Sequence, residues 1–195
     1  MRAEKQYENE TFRGLTLAGD EVSDAVFLEC EFIDCVFSGV TLRGSLLRDC
    51  RFTHCRIDTP KGRETGVQHC EFSDCFLSAV VWHEFTTGNR YASVLRGIKD
   101  STLRYNTFSQ MAFPKCDFSG LRIVESIFAE CDLSRASFRG TDLDRTEFFR
   151  CDLTQADFRD AVGYKVDVLS SKVKGARFSL PEAVSLLGGL GVKIE

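Results

Sequence analysis

The residues with the most chemistry to offer are nine cysteines, at 30, 35, 50, 55, 70, 75, 116, 131 and 151, and three histidines, His54, His69 and His83. Thiols beside imidazoles suggest either a zinc site or a nucleophile with its base. Structural zinc asks for short C-x2-4-C spacings and four ligands that converge. Here the first six cysteines run as two series at an interval of twenty, Cys30/Cys50/Cys70 and Cys35/Cys55/Cys75. Series of this kind stack rather than converge. A nucleophile needs a base and a pocket, whereas the three histidines lie apart in the sequence pattern. The reading is therefore of no enzyme, no cofactor and no metal, with the thiols as compact apolar fillers. Their odd number, and an N-terminus (MRAEKQYENE) without a signal-like apolar stretch, point to reduced thiols and a cytoplasmic protein. No segment is long and apolar enough to cross a bilayer as a helix.

What the cysteines share is position. Each stands two residues before a bulky apolar residue, and those bulky residues recur every five. From Phe12 the series runs Leu17, Val22, Phe27, Phe32, Phe37, Leu42, Leu47, Phe52 and Ile57. A second series, shifted by one, runs unbroken from Ile98 to Phe158. Five matches neither the 3.6-residue period of a helix nor the two-residue period of a strand. It demands a repeating turn geometry, and self-similarity at fixed period marks a solenoid whose core forms by stacking. The segments CEFIDCVF at 30, CRFTHCRI at 50 and CEFSDCFL at 70 set the coil at twenty residues. At the parallel-strand spacing, some eight coils would span roughly 40 Å.

The units CDLSR, TDLDR, CDLTQ and ADFRD resemble the A(D/N)Lxx pattern of the pentapeptide-repeat proteins, over roughly residues 10–163. The resemblance implies an all-β solenoid, a right-handed quadrilateral β-helix with four pentapeptides per coil and a short C-terminal helix. The expected organisation is an N-terminal cap over 1–11, the repeat over 12–163, and a C-terminal capping and dimerisation segment over 164–195.

Two stretches break the pattern. In DTPKGRETGVQ, residues 58–68, Pro60 takes a small place and Gly62 a bulky one, which predicts a loosened side with Lys61, Arg63 and Glu64 exposed. Between Trp82 and Ile98 one extra residue must be absorbed by a loop or bulge, over 83–97. Phe85, Arg90 and Tyr91, with Lys61 and Arg63, are the candidate partner contacts, because loops on a rigid scaffold carry binding residues. At the C-terminus, Ser179-Leu-Pro-Glu182 reads as a capping box opening a short helix that Gly188-Gly189 ends, with a strand over Val192–Ile194. Leu180, Ala183, Val184 and Leu187 fall on one helical face.

The net charge of −4 is uneven. Residues 1–35 hold nine acids and three bases, and residues 116–163 hold ten and six. Such a surface disfavours nucleic acid, whose phosphates must be met by Lys and Arg; it suits solubility, or a protein surface built to hold DNA. The ARFSLPEAxxLL ending, with L-x-Y-x-x-F at Leu103–Phe108, resembles the bacterial branch that includes the Qnr-type quinolone-resistance proteins and the microcin and albicidin self-immunity proteins. That resemblance implies a DNA mimic that binds DNA gyrase or topoisomerase IV and protects it from quinolone-like or peptide poisons. It also implies a homodimer through Leu180, Val184, Leu187 and Leu190. The rival reading is a protein–protein interaction scaffold with an unrelated partner.

Overall fold

A pentapeptide can form neither a full helical turn series nor an ordinary strand, so the chain turns a corner every five residues. The computed structural model describes residues 5–87 and 94–190. It divides into two units, residues 1–102 and 103–195, and each is a four-sided parallel β-solenoid.

In the first unit the strands are mostly three residues long. One side is built from Lys5–Glu8, Ala25–Leu28, Leu46–Arg48 and Gly66–Gln68, and the next from Thr11–Arg13, Glu31–Ile33, Arg51–Thr53, Cys70–Ser73 and Leu95–Lys99. Pairing is parallel and in register at twenty residues, with Phe12 on Phe32, Phe32 on Phe52 and Phe52 on Phe72. Their rings stack at 5.1, 4.8 and 4.9 Å, nearly coplanar. The residue two past each bulky place takes the left-handed conformation that turns the corner, as at Asp34 (φ 56°), His54 (φ 53°) and Gly39 (φ 62°). Side chains rarely adopt this backbone region, and Gly and Asn/Asp do so with least strain. Backbone groups are satisfied from coil to coil: Asp34 N–H donates to the Thr53 carbonyl and Arg51 N–H to that of Cys30.

The ladder begins one place earlier than the sequence suggested. Tyr7 stacks on Phe27 at 5.0 Å from within a paired strand, so residues 5–11 are repeat and not cap. The stretch 58–68 also departs from expectation. Lys61–Arg63 pairs with Thr41–Arg43 and Gly66–Gln68 with Leu46–Arg48, both in register. The side is not loosened, because pairing needs only backbone and Gly62 and Pro60 leave that intact.

In the second unit, Phe118, Phe138, Phe158 and Phe178 form one stack and Phe108, Phe128 and Phe148 another. The two stacks meet edge to face, Phe138 against Phe148 at 5.3 Å. On two sides the turns tighten, with Ala136 N–H bonding the Leu133 carbonyl and Thr141 N–H that of Phe138. Here the aspartate before each bulky residue is structural: Asp117, Asp132, Asp152 and Asp157 each accept the backbone N–H two residues on. Side-chain mimicry of a turn of this kind is characteristic of Asp.

The repeat runs beyond residue 163. Val162–Val166 pairs with Asp142–Phe149, and Arg177–Phe178 pairs with Asp157–Phe158. Gly163 occupies a bulky place, its φ is 73°, and the adjoining Tyr164 ring is buried in its stead, 5.5 Å from Phe158. The boundary at 163 reflected that one-residue slip, not the end of the coils.

Phe138 touches four other aromatic rings, stacked on Phe118 and Phe158 and edge-on to Phe128 and Phe148. Phe138→Ala should lower unfolding free energy by about 3–5 kcal/mol, measured by urea denaturation; an unchanged midpoint would contradict the assigned phase.

Candidate functional site

The nine thiols are free; all are buried except Cys116, which is half-buried. Their environment is that of filler. Cys55 Sγ donates to the Phe32 and Thr53 carbonyls, and Cys75 Sγ to those of Phe52 and Ser73. Burial pushes the Cys116 thiol up to about 12, away from the thiolate form that nucleophiles and metal ligands require. Among the described residues no group of three or more His, Cys, Asp or Glu side chains is arranged to hold a metal ion. His54 lies at an exposed corner between Asp34 (3.6 Å) and Asp74 (3.9 Å), and His69 is 3.9 Å from Asp49. Each imidazole is thus a member of a surface column.

The two irregular stretches prove to be one construction. A 3-10 turn at Trp82–Phe85 carries Phe85 over Gly62, where an added Cβ would meet the Phe85 ring at 2.9 Å and the Glu84 carbonyl at 2.6 Å. The Glu84 carboxylate accepts the Gly62 N–H at 3.1 Å. Phe85 therefore supplies the bulky group that Gly62 lacks, and at 4% exposure it is not a projecting contact. That corrects the sequence expectation for Phe85: a vacant ladder place draws in the nearest aromatic ring. Lys61 and Arg63 are exposed on the adjoining strand. Arg90 and Tyr91 lie outside the described residues. The extra residue of this stretch is Arg96, a bulge between Leu95, paired with Cys70, and Gly97, paired with Glu71. Its guanidinium reaches the Glu71 carboxylate at 3.2 Å.

At the C-terminal end the expected capping box does not form. Ser179 Oγ accepts the Asp160 N–H and the Glu182 carboxylate accepts the Gly163 N–H, so both side chains serve the preceding coil. The Leu180–Pro181 bond is cis, and residues Glu182–Leu190 form 3-10 turns that continue through Gly188 and Gly189. With three residues per turn, side chains three apart share an edge. Ala183 and Leu186 are half-buried, and the segment packs on Val162–Val166, while Val184, Leu187 and Leu190 are exposed. The single face expected for Leu180, Ala183, Val184 and Leu187 is thereby split, with Leu180 79% exposed before the first turn. The strand expected at Val192–Ile194 lies outside the described residues.

Surface charge is largely paired along columns. Arg51 bridges Glu31 (3.1 Å) and Glu71 (3.6 Å), and Glu125 is held by Arg104 (2.7 Å) and Arg145 (3.1 Å). The Arg104 guanidinium keeps the Glu125 carboxyl below the usual carboxylate range, and Arg159 does the same for Asp157. Two exposed aromatics that the sequence analysis did not name as contacts carry an arginine on the ring: Tyr105, the tyrosine of the L-x-Y-x-x-F stretch, under Arg104 at 4.6 Å, and Phe149 under Arg150 at 4.8 Å. Phe149 stands beside rather than in the five-residue series, which was the available signal.

A family model for pentapeptide repeats matches in eight copies, over residues 23–58, 126–162 and 143–179. The chain is a pentapeptide-repeat protein. Among solved structures, QnrB1, a plasmid-mediated fluoroquinolone resistance protein, matches at full length with a TM-score of 0.55 and 19% identity, over 96% of this chain and 100% of that one. A trypsin-treated QnrB1 variant gives 0.55 and 20%, over 97% and 99%. HetL, a pentapeptide-repeat protein involved in heterocyst differentiation regulation from the cyanobacterium Nostoc, gives 0.57 and 15%, over 89% and 84%. No curated protein matches the sequence. At these identities the likeness is one of fold, and the pentapeptide-repeat protein shares its coils with neighbours of different roles.

The Gly62–Phe85 pair can be tested by a double-mutant cycle. Gly62→Leu alone should destabilise by about 1–3 kcal/mol through overpacking, and Phe85→Ala alone by about 3–5 kcal/mol. Combined, the new leucine takes up the space that the ring vacates while its Cβ still meets the Glu84 carbonyl, so the double variant should lose less than the sum. Additive losses in guanidinium denaturation would mean the two positions do not share one space.

Proposed function

We propose that this pentapeptide-repeat protein binds a type II topoisomerase, DNA gyrase or topoisomerase IV, at the surface the enzyme offers to duplex DNA, and so protects it from quinolone-like or peptide poisons. The observation that carries the reading is the correspondence with QnrB1 from end to end, 97% of this chain and 99% of that one, against 89% and 84% for HetL. The acid excess of residues 1–35 adds support, since a negative surface competes for sites made to receive phosphates. Lys61 and Arg63, exposed on one strand, are candidate contacts with the partner, and Arg90 and Tyr91 follow them in sequence.

The reading includes a homodimer. Val184, Leu187 and Leu190 form an exposed apolar edge 39–51% accessible, and Leu180 lies next to it in sequence. Exposed apolar residues gathered in this way favour association with a matching surface, and a second copy offers the same edge in a two-fold contact.

A second reading, a scaffold for an unrelated protein partner, is favoured by the pairing of surface charge. Arginines within the carboxylate columns, as at Glu31–Arg51–Glu71, reduce the net field that a DNA mimic would use.

Gyrase supercoiling, titrated with the protein in the presence and absence of a fluoroquinolone, separates the two. The topoisomerase reading expects rescue of supercoiling at low dose and inhibition at high dose; no effect under either condition hands the lead to the scaffold. Independently, Leu187→Arg should convert a dimer to monomer in sedimentation, because it places an unpaired charge in an apolar contact. An unchanged dimer would move the interface elsewhere.

A further inference from the structure

The two units are filled differently. In the second, Phe118, Phe128, Phe138 and Phe158 are wholly buried. In the first, one side carries only Val22, Leu42 and Gly62 in its bulky places, and Phe12, Phe27, Phe37 and Leu42 line the interior yet remain half-buried. The space they face is a cavity of about 320 Å³, lined from all four sides of the coil. It reaches Ile57 and Pro60 of the third coil, a depth of about 10 Å at the strand spacing.

Polarity is confined to the entrance. The polar side chains of the lining, Lys5, Tyr7, Glu21 and Ser23, all belong to the first coil, and every lining residue of the second and third coils is apolar. The entrance charges favour neither sign. A cationic head would meet Lys5, while Glu21 already accepts the Ser23 Oγ–H at 2.8 Å and faces Arg43 at 3.4 Å. An anionic head would meet that same Glu21, in a coil, 5–24, that carries five acids against two bases. Either ion would give up hydration in a place where Lys5 and Glu21 act on it in opposite directions. A neutral hydroxyl escapes that cost, and it can accept a hydrogen bond from an ammonium or from water.

Apolar cavities take apolar guests, and one of about 150 Å³ holds benzene. A cavity twice that size lies at the lower end of small-molecule sites and suits a chain of about eight to ten carbons. We propose that the interior of the first unit is a binding site for a neutral, elongated apolar molecule of the medium-chain alcohol class. Its chain lies among Leu17, Val22, Phe27 and Leu42, and its hydroxyl stays at the entrance. Completing the burial of these half-buried side chains supplies the driving force. The site is independent of any topoisomerase contact.

The test uses the full chain and three ligands that share one tail, octanol, octylamine and octanoate, followed by titration calorimetry, thermal melting and NMR. Octanol should bind one to one, raise the melting temperature and shift the methyl signals of Leu17, Val22 and Leu42. It should also bind at least about tenfold more tightly than either ion. Val22→Phe combined with Leu42→Phe sets two rings in register, as Phe12 lies on Phe32. That filled variant should keep or raise the melting temperature while weakening octanol at least about tenfold. Absence of saturable octanol binding, either ion binding as tightly as octanol, or unchanged octanol affinity in the filled variant would each overturn the proposal. So would octanol shifts at Val184, Leu187 and Leu190 in place of Leu17 and Val22, since the guest would then sit on the C-terminal apolar edge.

Discussion

The distance between hydrogen-bonded parallel strands, about 4.8 Å, governs this molecule more than any single residue does. A coil of twenty residues places each side chain over its counterpart one coil away, and like meets like. Phenylalanine rings lie 4.8 Å apart where Phe32 covers Phe52, thiols sit above thiols, and arginines are threaded between carboxylates. The same geometry explains why a missing side chain cannot be absorbed by general relaxation. Where Gly62 interrupts its column, the chain makes an excursion of its own to bring Phe85 into the space.

Much of this was legible in advance because a five-residue period constrains every position at once. The coil length, the stacking of Phe12, Phe32, Phe52 and Phe72, and the burial of the cysteines other than the half-buried Cys116 all follow from phase alone. What escaped was whatever depends on two places far apart in sequence. Gly62 and Phe85 each looked like a local fault, and only in space do they answer one another. Tyr164 was hidden because the chain slips by one at Gly163. The Ser179–Glu182 signature was present, but both side chains found backbone partners in the preceding coil, at Asp160 and Gly163, and tertiary contact overrode the local motif. The aspartates of the second unit, read as surface charge, turned out to hold its turns.

These corrections bear on function. Asp117, Asp132, Asp152 and Asp157 are committed to backbone N–H groups, which fixes their orientation and leaves their negative charge in place. The repeat is least self-sufficient at three places: at Lys61 and Arg63 on the strand covered by the 3-10 turn, at Tyr105 and Phe149 under their arginines, and at the apolar edge of Val184, Leu187 and Leu190. None of these is a pocket of convergent catalytic groups. They are places where a flat, regular wall acquires individual features.

The stacked thiols have one further consequence. Because Cys30 and Cys35, Cys50 and Cys55, and Cys70 and Cys75 belong to successive coils and are nearly inaccessible, a thiol reagent can reach them only when the wall parts. Each pair is a clock set into its own coil. The order in which the thiols are alkylated would record whether the first unit frays from an end or opens as a whole, without any probe being added to the chain.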